Sequence, residues 1–343
     1  MTIQEFLGID LPIIQAPMAG VQGSAMAVAV SNAGGLGSLP CAMLTPDALR
    51  SELQAITAQT RRPYNVNFFC HTPPAPDAAR EAVWRAALAP YYAEFGIDPV
   101  SVPAGGGRTP FNAEAADLLE TFRPPVVSFH FGLPSPALLA RVKGWGAKVL
   151  SSATTVEEAR WLEAHGVDAV IAQGLEAGGH RGIFLGDDLT TQVGTMALLP
   201  QVVRAVRVPV IAAGGIADAS GVAAALALGA AGVQVGTSYL LCPEATTTPL
   251  HRAALASPRA AHTVLTNLIT GRPARGMRNR LLDELGPLSD AAPDFPLATA
   301  ALAPLKAAAE KLGRDDFSTL WSGQNATGCR AIPAAQLTRE LAA

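Results

Sequence analysis

The segment EAGGHRG, Glu176 to Gly182, sets an imidazole among glycines just after an apolar run, VDAVIAQ from Val167 to Gln173. Glycine lets the backbone approach a flat ligand, and an ordinary imidazole titrates near neutral pH, so His180 is placed to move a proton. A flexible turn with an incidental histidine would read the same in isolation. Two more glycine clusters, AAGGIAD (Ala212 to Asp218) and QVGTSYL (Gln234 to Leu241), have the composition of a phosphate cradle. Gly214, Gly215 and Gly236 would admit an anion to the main chain, and Thr237 adds a hydroxyl. Neither cluster is GxGxxG or a P-loop, so a mononucleotide suits them better than a dinucleotide or triphosphate. Tight strand-to-helix turns are the alternative use for such glycines. Polar side chains also stand where other apolar runs end: Gln15, Asn67, His130 and Gln173. An amide offers a donor and an acceptor together, which the edge of a flavin ring can return.

The elements that must position these groups alternate strand with helix from Leu11 to Cys242. Eight apolar runs read as strands covered on both faces: LPIIQAP from Leu11, GLGSL from Gly35, YNVNFF from Tyr64, VVSFHF from Val126, KVLSSA from Lys148, DAVIAQ from Asp168, PVIAAG from Pro209 and GVQVGT from Gly232. Thr45-Pro46 and Ser135-Pro136 start helices with a hydroxyl cap and proline at the first turn, and Thr155 with Glu158 reads as a capping box. Eight βα units in a row predict an α/β fold, a (β/α)8 TIM barrel, with an open doubly wound sheet as the alternative. In such a barrel the three glycine-bearing loops would share the catalytic mouth. Two stretches break the repeat: an insertion from His71 to Asn112, with a helix over Ala78 to Phe95 and the loop VPAGGGRTP, and the chain beyond Pro243, which reads as mostly Ala-rich helix. The boundaries expected are therefore a barrel over 1–242 with its insertion at 71–112, and a smaller helical second domain over 243–343 whose end packs back on the barrel. Both attachments leave from the ligand-binding face, which fits either a lid or a buttress.

Composition excludes several classes. Hydrophobic residues make up 49% of the 343 and charged residues 15%, which suits a large core and not a disordered chain. The net charge of −3 carries no basic stripe for nucleic acid or an anionic membrane face. No run of about 18 apolar residues suggests a membrane span, and the start of the chain lacks a signal-peptide pattern, so a cytoplasmic protein is expected. The four cysteines, Cys41, Cys70, Cys242 and Cys329, show no metal or disulfide spacing, and none is expected to hold a metal. Whether the chain forms a homo-oligomer is left open.

Taken together, PIIQAPMAGV (Pro12 to Val21), NVNFF (Asn65 to Phe69), QGLEAGGHRG (Gln173 to Gly182), AAGGIAD, QVGTSYL and GRPARGMRNR (Gly271 to Arg280) resemble the nitronate monooxygenase family, formerly called 2-nitropropane dioxygenases, along nearly the whole chain. The resemblance implies FMN as cofactor, held by Met18, Ala19, Gly20, Asn67, Gln173, Gly178, Gly215, Gln234, Gly236 and Thr237. It implies His180 as the catalytic histidine and His130 as a second imidazole lining the substrate cavity. The implied reaction is oxidative denitrification of a nitronate, propionate 3-nitronate or an alkyl nitronate, with O2 to a carbonyl compound and nitrite, by single-electron transfer to the flavin and without NAD(P)H. A related FMN barrel, an NAD(P)H-dependent enoyl-acyl-carrier-protein reductase, shares the EAGGH loop and is the main alternative. A non-redox barrel binding a phosphorylated metabolite is the second. His71 is expected to be a solvated loop histidine. Arg272, Arg275, Arg278 and Arg280 would either reach an anion or tie the second domain down, and LWSGQ (Leu320 to Gln324) would either close over the flavin or not.

Overall fold

The computed structural model describes residues 2–103 and 108–343, so the glycine-rich centre of the VPAGGGRTP loop lies outside the described residues. Eight parallel strands form the barrel: β1 (Ile13–Gln15), β2 (Gly37–Pro40), β3 (Tyr64–Phe69), β4 (Val126–His130), β5 (Lys148–Ala153), β6 (Ala169–Gln173), β8 (Val210–Ala213) and β9 (Gly232–Val235). They neighbour one another in the order β1-β9-β8-β6-β5-β4-β3-β2, and a parallel bridge from Ile14 to Leu36 brings the two ends of that order together. The sequence expectation of a (β/α)8 barrel holds.

Strand periodicity decides which residues reach the site. In β3, Val66 and Phe68 pack outward under the helices, which leaves Asn65, Asn67 and Phe69 facing inward. In β4, Val127 and Phe129 pack outward, which turns Ser128 and His130 inward. A floor of Ile3, Leu7, Ile14, Leu36, Leu150 and Ile171 fills the amino-terminal end of the barrel, so open space is left at the other end. Each of these fully buried aliphatic side chains contributes roughly 1.5–3 kcal/mol. Gly37 shows how close the outer layer lies: a Cβ there would stand 2.0 Å from the Ala27 carbonyl oxygen of the helix Ser24–Asn32.

Thr45, Ser135 and Asp218 cap their helices as their types predict, accepting from Ala48, Leu138 and Gly221 N–H. The box read at Thr155 forms only one way. Thr155 accepts from Glu158 N–H at 3.2 Å, but the Glu158 carboxylate turns inward to Thr154 N at 2.6 Å and Phe184 N at 2.6 Å.

The insertion and the later chain share one core. Trp84, Leu88, Tyr91 and Tyr92 of the helix Ala78–Glu94 pack on Ala298, Ala301, Leu302 and Leu305 of the helix Ala298–Lys311. Trp84 Nε1 donates to Ala298 O at 3.2 Å and the Tyr92 hydroxyl to Ala301 O at 2.7 Å. The last helix, Ala334–Leu341, lies against the barrel helices, with Tyr239 and Thr338 hydroxyls 2.9 Å apart.

One part of the tail differs from the helical reading. Thr263–Thr266 (β10) and Ala274–Met277 (β11) form an antiparallel pair, and β11 also pairs with the two-residue β7, Gly179–His180. Thr263, Val264 and Thr266 are β-branched, and Gly271 turns the chain at φ +89° where a Cβ would lie 2.1 Å from Pro293 O. The loop after β6 is thereby stitched to the chain beyond Pro243.

Candidate active site

His180 lies on β7 at the barrel mouth, opposite Ala274 of β11. Its Nε2 is 2.9 Å from the Thr270 hydroxyl. With that hydroxyl turned to Arg272 O, 3.4 Å away, its oxygen accepts from His180, an arrangement in which the imidazole proton sits on Nε2. Among the described residues Nδ1 has no protein partner. Four aromatic rings surround the imidazole: Phe295 at 5.2 Å, Trp321 at 5.7 Å, Phe131 at 5.9 Å and Phe69 at 6.0 Å between centroids. Burial, then the charge of Arg108 and of the neighbouring His130, Arg272 and His71, holds the imidazole well below its ordinary range. The expectation of a group titrating near neutrality is corrected: His180 is neutral here at physiological pH.

His130 closes β4 beside it. One of its nitrogens, Nδ1, contacts the Ser152 hydroxyl and the other, Nε2, lies 3.3 Å from His180 O, so both are committed to protein. Burial, followed by the charge of Arg272, pushes its pKa down to about 3. Gln173 is committed in the same way, donating to His180 O at 3.0 Å and accepting from Gly182 N at 2.8 Å. These two side chains hold the His180 carbonyl from two strands.

Asn67 donates to Ser128 O at 3.2 Å and to its Oγ at 2.9 Å, and its own carbonyl oxygen has no protein donor among the described residues. Gln234, near the end of β9, has a buried Oε1 without a partner. Gln15 belongs elsewhere, tied to Gln22 at 2.6 Å and to Ser38 N at 3.1 Å.

The mouth of β8 and β9 is lined by main chain. Gly214 and Gly215 have φ of +115° and +74°, conformations that favour glycine. Among the described residues the N–H groups of Gly215, Ile216, Gly236 and Thr237 find no acceptor in the protein. Half-buried N–H groups of this kind ask for an external acceptor, and an anion at the turn answers them. A Cβ on Gly236 would meet Met18 Sδ at 3.5 Å, so the turn after β1 borders the same place. Ala19 is half-buried in that turn, while Gly20 is exposed with φ +83°.

The stretch left undecided in the sequence crosses this cradle. Gly323 N donates to Thr237 Oγ1 at 2.9 Å, Gln324 N to Glu176 O at 2.9 Å, and Asn325 Nδ2 to Gly215 O at 3.0 Å. Gly178 sits so close beneath it that a Cβ would be 2.5 Å from Gly323 N.

The arginines of the tail split by position. Arg278 and Arg280 pair with Asp283 and with Glu94 and Glu284, which ties the tail to itself and to the insertion helix. Arg275 donates to Leu175 O at 2.9 Å, and Arg272 stacks 3.9 Å over the Phe131 ring and donates to Ile183 O. Arg181, fully buried, gives its guanidinium to Gly174 O, Gln173 O and Gln192. Phe131 adopts φ +68°, costly for a bulky residue at about 1–3 kcal/mol, and that turn presents its ring to His180 and Arg272.

His71 corrects the sequence reading of a solvated loop residue: it is buried, 4.9 Å from Phe295 and bonded to Arg108 O at 2.9 Å. Phe131, Thr270 and Phe295 were not singled out by sequence, because none has a chemistry-bearing pattern of its own, and Trp321 was read only as part of LWSGQ. Among the described residues no cluster of three or more potential metal ligands exists, and no helix is long and apolar enough to cross a membrane.

The whole sequence, residues 1–343, matches the family profile described as nitronate monooxygenase. The chain belongs to the nitronate monooxygenase family. It is 45% identical over 338 residues to a nitronate monooxygenase of Pseudomonas aeruginosa, covering 98% of this chain and 96% of that one. It is 45% identical over 340 residues to one of Paraburkholderia phytofirmans, covering 98% and 92%. A nitroalkane oxidase from Streptomyces ansochromogenes superimposes with a TM-score of 0.89 at 40% identity, covering 99% of this chain and 96% of the other. FabK from Thermotoga maritima follows with a TM-score of 0.74 at 28% identity, covering 99% and 94%. As a nitronate monooxygenase family member the chain is an oxidoreductase of a flavin-dependent family.

Proposed function

We propose that the chain oxidises nitronates with bound FMN and O2, releasing a carbonyl compound and nitrite. The observation that carries this reading is a neutral, Thr270-anchored imidazole in an aromatic box, on the same barrel mouth as four open main-chain N–H groups. The residues present fit FMN. Gly215, Ile216, Gly236 and Thr237 would hold its phosphate, and the unpaired carbonyl oxygens of Asn67 and Gln234 would accept from its polar edge. Met18, Ala19, Gly20, Gln173 and Gly178 would complete the cradle. Bound there, FMN supplies the electron acceptor that a nitronate requires.

The protein's own residues then have distinct tasks. Phe69, Phe131, Phe295 and Trp321 exclude water and hold the substrate flat beside His180. His180, with its proton on Nε2, presents a lone pair on Nδ1, so it can accept the α-proton of a neutral nitroalkane. Arg272 supplies fixed positive charge beside the box, which favours an anionic substrate. His130 and Gln173 position His180 through its carbonyl. The insertion at 71–112 and the chain from 243 onward act as one cover over this mouth.

The test is oxygen uptake with nitrite release from propyl-1-nitronate by the FMN-loaded protein, together with anaerobic addition of NADH and NADPH. Nitrite formation with no bleaching by either nicotinamide is expected. Rapid bleaching by one of them, with no nitrite from the nitronate, would instead assign the enoyl-reductase reading. A purified protein that takes up no flavin would favour the non-redox barrel.

A further inference from the structure

Glu176 opens the glycine loop that carries His180, yet its charge has no part in the reaction proposed above. Its carboxylate accepts Thr195 N–H, at 2.8 Å and 3.0 Å to its two oxygens. Thr195 is the first residue of the helix Thr195–Ala205, whose N-cap is Gly194 and so offers no side chain of its own. A carboxylate at the positive end of a helix is favourable, and here it comes from the loop after β6. Two glycines make room for it. A Cβ on Gly194 would stand 2.8 Å from Glu176 Oε1, and one on Gly174 would stand 2.6 Å from Oε2.

The contact continues into the cradle. Thr195 Oγ1 lies 2.9 Å from Glu176 Oε2 and 2.9 Å from Gly214 O, so its one proton is shared between carboxylate and carbonyl. A trans peptide points its N–H opposite to its C=O. With Gly214 O turned to Thr195, the Gly215 N–H is turned the other way, and it is one of the four N–H groups without an acceptor among the described residues. The stem of Glu176 backs the same turn, since a Cβ on Gly215 would meet Glu176 Cβ at 3.4 Å. The Glu176 carbonyl accepts from Gln324 N at 2.9 Å, which ties the crossing strap to the same residue. Burial lowers the pKa values of Arg181 and Arg275 and the charge of Glu176 opposes it in both, so the carboxylate has two cations to offset it.

We propose that Glu176 is a positioning residue for the phosphate of the cofactor. By filling the start of the helix Thr195–Ala205 with an internal carboxylate, it holds Thr195 against Gly214 and aims the Gly215 N–H into the cradle. It also withholds that helix start from an outside anion, which leaves the turns after β8 and β9 as the place for the phosphate. This rests on the FMN binding proposed above. Glu176 touches neither flavin nor substrate in this role: it acts through Thr195 and the Gly214–Gly215 peptide.

The experiment measures dissociation constants of FMN and of riboflavin, which lacks the phosphate, by flavin fluorescence on apoprotein of the wild type, Glu176→Ala and Glu176→Gln. The wild type should prefer FMN. Glu176→Ala should bind FMN about tenfold more weakly, as the loss of one charge-assisted cap predicts, and riboflavin almost as before. That narrowed preference separates positioning of the phosphate from general support of the fold, which would weaken both flavins alike. Sodium acetate supplies a free carboxylate and should restore FMN affinity in Glu176→Ala, whereas sodium chloride at equal ionic strength should not. Equal losses on both flavins, unchanged or tighter FMN binding, or no recovery with acetate would overturn the assignment. If Glu176→Ala misfolds, Glu176→Gln, which keeps the shape and loses the charge, decides: a loss confined to FMN supports the assignment, and an equal loss on both flavins overturns it. A wild type that binds neither flavin overturns both this inference and the proposed function, whereas one that binds the two equally overturns this inference alone.

Discussion

On the side of β6, β8 and β9 the barrel mouth is lined by main chain: glycines with positive φ, open N–H groups, and a crossing strap that adds further backbone contacts. On the side of β3 and β4 it is lined by side chains, with Phe69, His71, Arg108, His130 and Phe131 meeting Thr270, Phe295 and Trp321 from the tail. A surface of backbone amides can hold one kind of group, a phosphate, and tolerates little change in its glycines. A surface of side chains can be retuned one residue at a time. The two sides should therefore answer mutation differently: changes on the first side should alter cofactor retention, and changes on the second should alter turnover and substrate choice.

The largest effect is expected at the residue between the two sides. His180→Asn keeps a polar side chain but removes the proton-accepting nitrogen, and should lower turnover of a neutral nitroalkane, which needs that base, by roughly 10²–10⁴-fold. FMN content per chain, read from the visible spectrum, should stay close to that of the wild type. Loss of flavin in parallel with activity would show that His180 belongs to the backbone side after all.

Acid should act through the buried imidazoles. His130, His180 and His251 are buried and held below the unfolded value near 6.5, His130 to about 3 and His251 to about 4. Below pH 6.5 the unfolded chain binds protons that the folded chain refuses, so stability falls as pH drops. Each histidine contributes about 1.4 kcal/mol per pH unit, for His130 down to about pH 3 and for His251 to about 4. Urea midpoints at pH 7.5, 6.0 and 5.0 should decline stepwise, with the slope reduced in His130→Gln. A flat profile would mean that these imidazoles take up protons in the folded state.

The same division explains what the sequence made legible. Glycine clusters that need no distant partner announce themselves locally, so the loops holding Gly178, Gly215 and Gly236 were readable, as were the eight apolar strands whose burial on both faces leaves continuous runs. His180 was readable because it sits in such a loop. Its neutral state was not, because that depends first on burial among rings such as Phe295 and Trp321, and then on the charge of Arg108 and Arg272, all brought from segments distant in sequence. His71 looked solvated for the same reason: its burial comes from Phe295, far along the chain. The hairpin of β10 and β11 was hidden in an Ala-rich context, and its partner, β7, is only two residues long.

A glycine substitution tests the backbone side. Gly178→Ala would place a Cβ 2.5 Å from Gly323 N and 2.6 Å from Ser322 C, so the strap must lift, at a cost of about 1–3 kcal/mol. FMN should bind about tenfold or more weakly, as read by fluorescence titration of the apoprotein. Gly186→Ala, with nothing within 4 Å of the new Cβ, is the control and should bind FMN like wild type. Unchanged affinity in Gly178→Ala would separate the strap from the cofactor.

The smallest and sharpest change is Thr270→Val, which keeps the volume beside His180 and removes only the hydroxyl 2.9 Å from Nε2. The backbone side is untouched, so FMN affinity should hold. Without that oxygen the Nε2–H is unsatisfied, and the proton can move to Nδ1, which presents the wrong nitrogen to the substrate. A loss of about tenfold in turnover corresponds to the roughly 1.4 kcal/mol that one buried hydrogen bond carries. The loss should be greater on neutral nitroalkanes, which need the α-proton removed, than on preformed nitronates, which do not. Thr270→Ser should restore both, because it restores the acceptor. Equal losses on the two substrate classes would show that Thr270 supports the aromatic box by packing, and that the tautomer of His180 is set by something other than this hydroxyl.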